Sequence, residues 1–381
     1  MTTGNSALLE IIRGEIQNRG PVSFAWFMQE ALYHPQHGYY SSGRCAIGRG
    51  GDYFTNVSVG PLFGQLLAAQ FAEIWERLDQ IDNFVIVEQG AHHGDFARDV
   101  LESASKRSPN FFAALRYRII EPFAVLQDRQ LQTLQLFCDK VEWRDSIEPF
   151  VGVHFSNELL DAMPVRLIGH GAEKFVDLDG DKLVFVERPA RDDIAFNQAA
   201  LDWIENVAAN LRRGYIIAVD YGHPRDEFCL SVQVRAQHRH LDSPFEQIGY
   251  ADITAHVEWT SIAEHAEACG LDVTGFTDQH HFITGILSEL LRDEFSNEAD
   301  VKTKRALQTL LHPEMLGRSF QVLALQKGAS AADAAVNSTE PHFAAALAGF
   351  KFAREPQRLL LSKGLAHCSR VRTAHGSGNQ T

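Results

Sequence analysis

Cysteine is scarce in this chain: five residues in 381, at Cys45, Cys138, Cys229, Cys269 and Cys368, with no C-x-x-C pair. An odd, scattered set excludes a disulfide framework and suits a reducing compartment. Zinc spacing is lacking too. The 17 histidines include the neighbours His92/His93 and His280/His281 and the run His238-Arg239-His240, but no H-E-x-x-H and no Cys/His pairs, so no metal is expected. The absence of G-x-S-x-G removes support for a serine hydrolase. No apolar run is long enough to span a bilayer. Residues 1–20 are polar, carry Glu10 and Glu15, and have neither a signal-peptide core nor the acid-poor, Arg-rich look of a transit peptide. The expected location is therefore cytoplasmic. Positive charge is also short. With 35 Lys and Arg against 49 Asp and Glu, the net charge is −14. That argues against general nucleic-acid binding and is compatible with a basic protein substrate. No repeat or heptad run specifies an oligomeric state.

What is present is a globular composition, 45% hydrophobic and 22% charged, organised around the stretch from Phe84 to Phe96. Phe84-Val85-Ile86-Val87 reads as a buried strand, Gly90 to Gly94 as a turn, and Ala97, Val100 and Leu101 as one side of a helix. A Gly turn lets backbone approach a ligand, and a helix start offers unpaired N–H groups, so this unit cradles nucleotide-like molecules. A second strand, Tyr117-Arg118-Ile119-Ile120, ends in Glu121, where an acid can accept both hydroxyls of a ribose. The dinucleotide fingerprint G-x-G-x-x-G wants its acid about 20 residues on. Here Glu121 comes late, and His92 stands where the middle glycine belongs. Glu88 followed by G-x-x-x-G better suits S-adenosyl-L-methionine (SAM), which has no pyrophosphate and carries an ammonium. A strand-turn-helix without a ligand is the plain alternative.

Along the chain, Ala7 to Asn18 predicts an amphipathic helix with Leu8, Leu9, Ile11, Ile12 and Ile16 as its apolar set. Val22 to Leu32 predicts a second, with Ser23 as cap. The Gly-rich segments Gly38-Tyr39-Tyr40 and Gly48 to Thr55 have the composition of loops that line sites, and equally of surface turns. Pro61 to Leu78 reads as a helix. Strands at Phe84–Glu88, Arg116–Ile120, Lys140–Trp143, Gly152–Ser156 and Tyr215–Asp220 alternate with helices, which predicts a parallel sheet. Val165 to Arg188 reads as an inserted hairpin turning at Asp179-Gly180. The stretch from Asp220 to Pro244 is polar with little periodicity. Helices follow at Ile194–Leu211 and Thr260–Cys269, and strands at Val273–Thr277 and Phe320–Leu325. The domains expected are an N-terminal helical region (1–80), an α/β core (81–328) with its insertion (about 165–190) and a substrate-side segment (about 223–258), and then an Ala/Ser linker. A packed helix at 343–361 and a flexible tail complete the chain.

Methyl transfer from a sulfonium is an in-line displacement, and needs orientation more than acid-base machinery. Asn157, Glu158 and Asp161 follow the fourth strand, where open α/β sheets bind ligands. Paired carboxylates there can localise positive charge on a guanidinium and leave one nitrogen free to attack; capping of a helix is the alternative. Asp220, at the tip of the fifth strand, is a second candidate contact for cofactor or substrate.

With those pieces assembled, the chain resembles the MidA family of SAM-dependent methyltransferase-like proteins from about Phe24 to Lys327. The matching strings are Gly38-Tyr39-Tyr40, Gly51-Asp52-Tyr53-Phe54-Thr55, Phe63-Gly64-Gln65-Leu66 and the Glu88 to Gly94 loop. Asn157-Glu158-x-x-Asp161-Ala162-x-Pro164, Asp220-Tyr221-Gly222-His223, Ala251 to Val257 and His312-Pro313-Glu314-x-x-Gly317 continue the match in order. The resemblance implies a Rossmann-like class I methyltransferase sheet with an added helical region and a SAM pocket. Glu88, Gly90, Gly94, Glu121, Asp220, Gly51, Asp52 and Thr55 would face the cofactor, and Asn157, Glu158 and Asp161 the acceptor. The family includes a mitochondrial arginine methyltransferase of respiratory complex assembly, which implies a protein-arginine acceptor here. A small-molecule methyltransferase and a non-catalytic binding protein on the same fold are the other readings. One departure stands out: the family's E-x-G-P-G-x-G loop has Ala91-His92-His93 in this chain.

Overall fold

Phe84, Val85, Ile86 and Val87 are all buried, as expected of a strand covered on both faces of a parallel sheet. The computed structural model describes residues 2–43, 55–191, 196–237, 239–290, 301–328 and 346–352. Its central sheet contains β1 (Phe84–Gln89), β2 (Leu115–Ile120), β3 (Val141–Arg144), β4 (Phe150–Asn157), β5 (Leu211–His223), β6 (Asp272–Asp278) and β7 (Phe320–Lys327). The spatial order is β6-β7-β5-β4-β1-β2-β3. Strands β1 to β5 pair in parallel, and β7 runs antiparallel to both β5 and β6. The short strand Val257–Glu258 lies parallel to the tip of β5. The antiparallel strand expected near Phe320 is therefore borne out, as are the five parallel strands. Chain direction across the sheet reverses between β1 and β4, and the crevice at such a switch point is where ligands bind.

The helices are α1 (Ser6–Arg19), α2 (Phe24–Tyr33), α3 (Leu62–Arg77), α4 (Asp95–Arg107) and α5 (Pro109–Ala114). They continue with α6 (Ala124–Thr133), α7 (Gln198–Asn210), α8 (Trp259–Ala268), α9 (Gln279–Leu290) and α10 (Val301–Leu311). One face of the sheet packs on α3, α4, α9 and α10, with Phe96 stacked on Phe155 at 4.4 Å. The other packs on α7 and α8 through Trp203, Ile204 and Trp259. Two glycines set the spacing of the central strands. A Cβ on Gly152 (φ 144°) would drive into the carbonyl oxygen of Val85, and one on Gly214 (φ 139°) into that of Gly152. Bare backbone is the only thing that fits there.

A third core gathers three separate segments: α1 with α2, the hairpin Ala172–Asp179/Lys182–Pro189, and the strands between residues 232 and 255. Phe245 packs at 5.4 Å from Phe27 and 4.8 Å from Phe185. The hairpin turns at Gly180 (φ 60°), as its Asp-Gly predicts. Four expectations change. The second helix starts at Phe24, because Val22–Ser23 pairs with Val176 and Phe175 as a strand, although Ser23 Oγ does cap the helix by accepting from Trp26 N at 3.2 Å. Ile11 faces solvent at 40% exposure. The polar stretch after Asp220 contains a strand, Val232–Ala236, paired with Arg239–His240 and Asp252–Ala255. In the expected helix at 343–361, the described residues form a 3-10 turn, Ala348–Phe350, and the remainder lies outside the described residues. That turn packs back against the core. Ala348 N donates to Glu73 Oε2 (2.9 Å), Gly349 N to Gln70 Oε1 (2.8 Å) and Arg77 Nη2 to Ala346 O (2.9 Å).

Candidate functional site

A cavity of about 700 Å³ opens over the tips of β1, β2 and β4, beneath the lobe that carries α2. Its floor is the turn after β1. Gly90 (φ 80°) and Gly94 (φ 81°) take left-handed conformations, and so does His92 (φ 46°) between them. Where the family's loop has glycine, this chain places a histidine in the conformation glycine favours, at a cost of about 1 kcal/mol. Neighbours hold it there. Gly94 N donates to Ala91 O (2.7 Å), the ring of His92 stacks on His93 at 3.7 Å, and Gln130 Nε2 donates to His92 O (2.9 Å).

Gln130 is the hub of this corner, and no sequence spacing points to it. Fully buried, it also donates to Glu121 Oε2 (3.1 Å), while its Oε1 accepts from Trp143 Nε1 (2.9 Å). One side chain thus fixes the β1 turn relative to the acid at the end of β2. Replacing it by leucine strands three polar partners, each worth about 1–3 kcal/mol when buried and unmatched. Gln130→Leu should lower the urea midpoint with an unchanged m-value, by about 2 kcal/mol or more in total.

Glu88 and Glu121 both line the cavity. Glu88 accepts from the Tyr117 hydroxyl (2.6 Å), and burial pushes its pKa up to about 7 against that bond. Burial likewise lifts Glu121 to about 7, opposed by the Phe123 N–H (3.1 Å) and Gln130. Each carboxyl keeps lone pairs free for a ligand. Thr55 lines the cavity too, in a reciprocal turn with Ser58 (Thr55 N to Ser58 Oγ and Ser58 N to Thr55 Oγ1, both 3.1 Å). The expected contacts Gly51 and Asp52 lie outside the described residues.

At the tip of β4, Asn157 and Glu158 line the wall opposite. Glu158 sits at φ 53° and accepts through Oε1 from Asn157 Nδ2 (2.9 Å) and Asn56 N (3.4 Å), and Asn56 Nδ2 donates to Asn157 Oδ1 (2.9 Å). Buried Asn56 is a second residue that sequence reasoning missed; its place directly after Thr55 was the only signal. Burial, then Asp220 and Asp252, raise Glu158 to about 8, while Asn157 and Asn56 pull it down. Tyr33 and Tyr40 complete the wall with rings 5.5 Å apart. Tyr40 donates to Asp252 Oδ1 (2.6 Å) and Tyr33 to Ala162 O (3.0 Å).

Two expected site residues do not reach the cavity. Asp220 is buried, and its Oδ2 accepts from the N–H groups of Leu159 (3.1 Å), Leu160 (2.8 Å) and Asp161 (3.2 Å). It ties the turn after β4 to the tip of β5, so its expected contact with the cofactor is corrected to a structural one. Asp161 is buried behind Glu158. Desolvation first, and then Asp220 and Glu158, push its carboxyl well above the usual range.

Comparisons with known proteins agree with this geometry. Residues 66–277 match the sequence profile of a family described as "putative S-adenosyl-L-methionine-dependent methyltransferase". The chain is 24% identical to the Drosophila melanogaster protein named protein arginine methyltransferase NDUFAF7 homolog, mitochondrial, over 87% of each chain. It is 25% identical to the Homo sapiens mitochondrial protein arginine methyltransferase NDUFAF7, over 84% of this chain and 83% of that one. A COG1565 superfamily crystal structure from Burkholderia thailandensis, bound to S-adenosyl-homocysteine, superposes with a TM-score of 0.79. It is 29% identical and covers 92% of this chain and 96% of its own. The fly and human relatives are mitochondrial, which overturns the cytoplasmic expectation. Addresses are read by receptors from short segments, so the make-up of the fold carries no such information. Among the described residues no helix is long and apolar enough to cross a membrane.

Proposed function

Because the chain belongs to the S-adenosyl-L-methionine-dependent methyltransferase family matched over residues 66–277, we propose that it transfers that cofactor's methyl group to an arginine side chain of a protein. The MidA resemblance is in line with that membership. The observation that carries the acceptor assignment is Glu158: a carboxyl in the cavity wall, held by two asparagines, in a cavity that two stacked tyrosine rings also line. A cation is the group such a wall recognises.

The cofactor supplies a methyl group on a positively charged sulfur. The residues of the chain do the rest. When the cofactor binds, Glu121 would accept from the ribose hydroxyls, Glu88 beside the β1 turn would meet positive charge, and Gly90 and Gly94 would let that turn come close, with Thr55 on the covering side. Glu158 binds two guanidinium nitrogens and draws the positive charge toward them, so that the third nitrogen keeps a lone pair aimed at the methyl carbon. The N–C bond forms as the C–S bond breaks, and the guanidinium proton then passes to carboxylate or solvent. Asn157 and Asn56 hold Glu158 in place, and Asp161, its carboxyl pushed well above the usual range, stands behind it in the neutral form. The names of the fly and human relatives support arginine as the acceptor.

The test is transfer of labelled methyl groups to arginine-containing and lysine-containing peptides, followed by acid hydrolysis and identification of the methylated amino acid. Methylarginine is the expected product. Methyllysine would replace the acceptor, and cofactor binding without transfer to any peptide would favour a non-catalytic binding protein.

A further inference from the structure

The two histidines that stand in the β1 turn have a consequence for how the cofactor is held. Arg129, on α6, places Nη1 3.2 Å from His93 Nε2. A guanidinium can only donate, so His93 Nε2 accepts, and the single proton of the neutral ring sits on Nδ1. Burial and the charge of Arg129 lower the pKa of His93, which keeps the ring neutral in that tautomer. Among the described residues Nδ1–H has no hydrogen-bond partner, and His93 lines the cavity. The ring is braced by its stack on His92 at 3.7 Å.

The α4 helix begins two residues later, and its first N–H groups favour negative charge on the same side of the cavity. The acid nearest to it, Asp95, is paired with Arg98 Nη1 at 2.6 Å. SAM carries one anion, the α-carboxylate of its methionyl tail. We infer that His93 donates its Nδ1–H to that carboxylate, with Arg129 as the positioning residue that sets the tautomer. In this chain a side chain does what a glycine turn leaves to backbone alone. The inference rests on the cofactor reading above.

The test compares SAM with decarboxylated SAM, which keeps the sulfonium, ribose, base and ammonium. Calorimetric titration of the wild-type protein should show decarboxylated SAM binding about tenfold more weakly, the scale of one hydrogen bond to a charged group. His93→Ala should weaken SAM about tenfold, leave decarboxylated SAM unchanged, and so erase the preference. His93→Asn, whose amide can place a donor near the Nδ1 position, should restore part of it. Arg129→Met should lose part of it, by freeing the ring to take either tautomer. If His93→Ala keeps the preference, or weakens both ligands equally, the assignment to the carboxylate is overturned while the cofactor reading stands. If the wild-type protein binds neither ligand, the cofactor reading itself fails, and this one with it.

Discussion

Glu158→Gln should slow methyl transfer by about a thousandfold, while SAM affinity stays within about threefold of wild type. Glutamine has the same shape, can keep a bond to Asn157, and meets the same backbone cost at φ 53°. What it lacks is the charge that holds a guanidinium, at a position where burial leaves ion pairs weakly screened. The free carboxyl has a pKa of about 8, raised by burial and by Asp220 and Asp252. Below that value the wild-type group is mostly protonated before the acceptor arrives. Its kcat/KM, which reports the free enzyme, should therefore rise with pH and level off above about 8. Steady-state kinetics and calorimetry on the same preparations separate the two roles. Loss of SAM binding in step with turnover would move Glu158 from acceptor to cofactor.

The second large effect concerns the sheet itself. Gly152→Ala should cost more than about 4 kcal/mol, enough to lower Tm by about 10 °C or leave the protein insoluble. The added Cβ points into the Val85 carbonyl at a φ of 144°, and Gly214 occupies the same kind of position one strand further on. Relief would require β1, β4 and β5 to move apart, and that movement would break the tips on which the cavity is built. Gly14→Ala is the control. Gly14 lies within α1, and a Cβ added there would meet nothing within 4 Å, so alanine should be neutral or stabilise by about 0.5–1 kcal/mol. Scanning calorimetry of the two variants side by side distinguishes local crowding from a general intolerance of substitution. A Gly152→Ala protein with wild-type Tm would mean that the strands spread freely.

Much of this arrangement was legible in the sequence because it repeats with a period. Phe84–Val87 and the helices that alternate with the strands announce themselves by apolar spacing, and chain order then limits the topology. Glu88, Glu121, Asn157 and Glu158 were legible for the same reason: each sits at a strand tip, where an α/β sheet presents its ligands. Asp220 sits at such a tip as well, but its carboxyl turns inward to three backbone N–H groups, and strand-end position does not reveal which way a side chain turns. Gln130, Asn56 and the Tyr40–Asp252 pair were out of reach because their partners are distant in sequence and no local spacing relates them. Val232–Ala236 hid for another reason. Only Val234 and Ala236 of its five residues are buried, too few to mark an alternation among polar neighbours. At His92 the sequence showed the departure, and only the backbone showed that the turn keeps its left-handed shape.

The turn at Ala346–Phe352 also has a meaning in time. It is hydrogen-bonded to Gln70, Glu73 and Arg77, on a helix made some 269 to 279 residues earlier. Phe350 fills a slot over Gly275 and beside Phe282 that nothing earlier in the described chain fills. During synthesis Gln70, Glu73 and Arg77 on α3 must therefore wait for these partners, and the slot between Gly275 and Phe282 for Phe350, until residues 346–352 leave the ribosome. Contacts of such long separation close late and slowly. The α3 side chains thus stay without these partners while the intervening 269 to 279 residues are made, whereas the apolar slot exists only once Phe282 has been added.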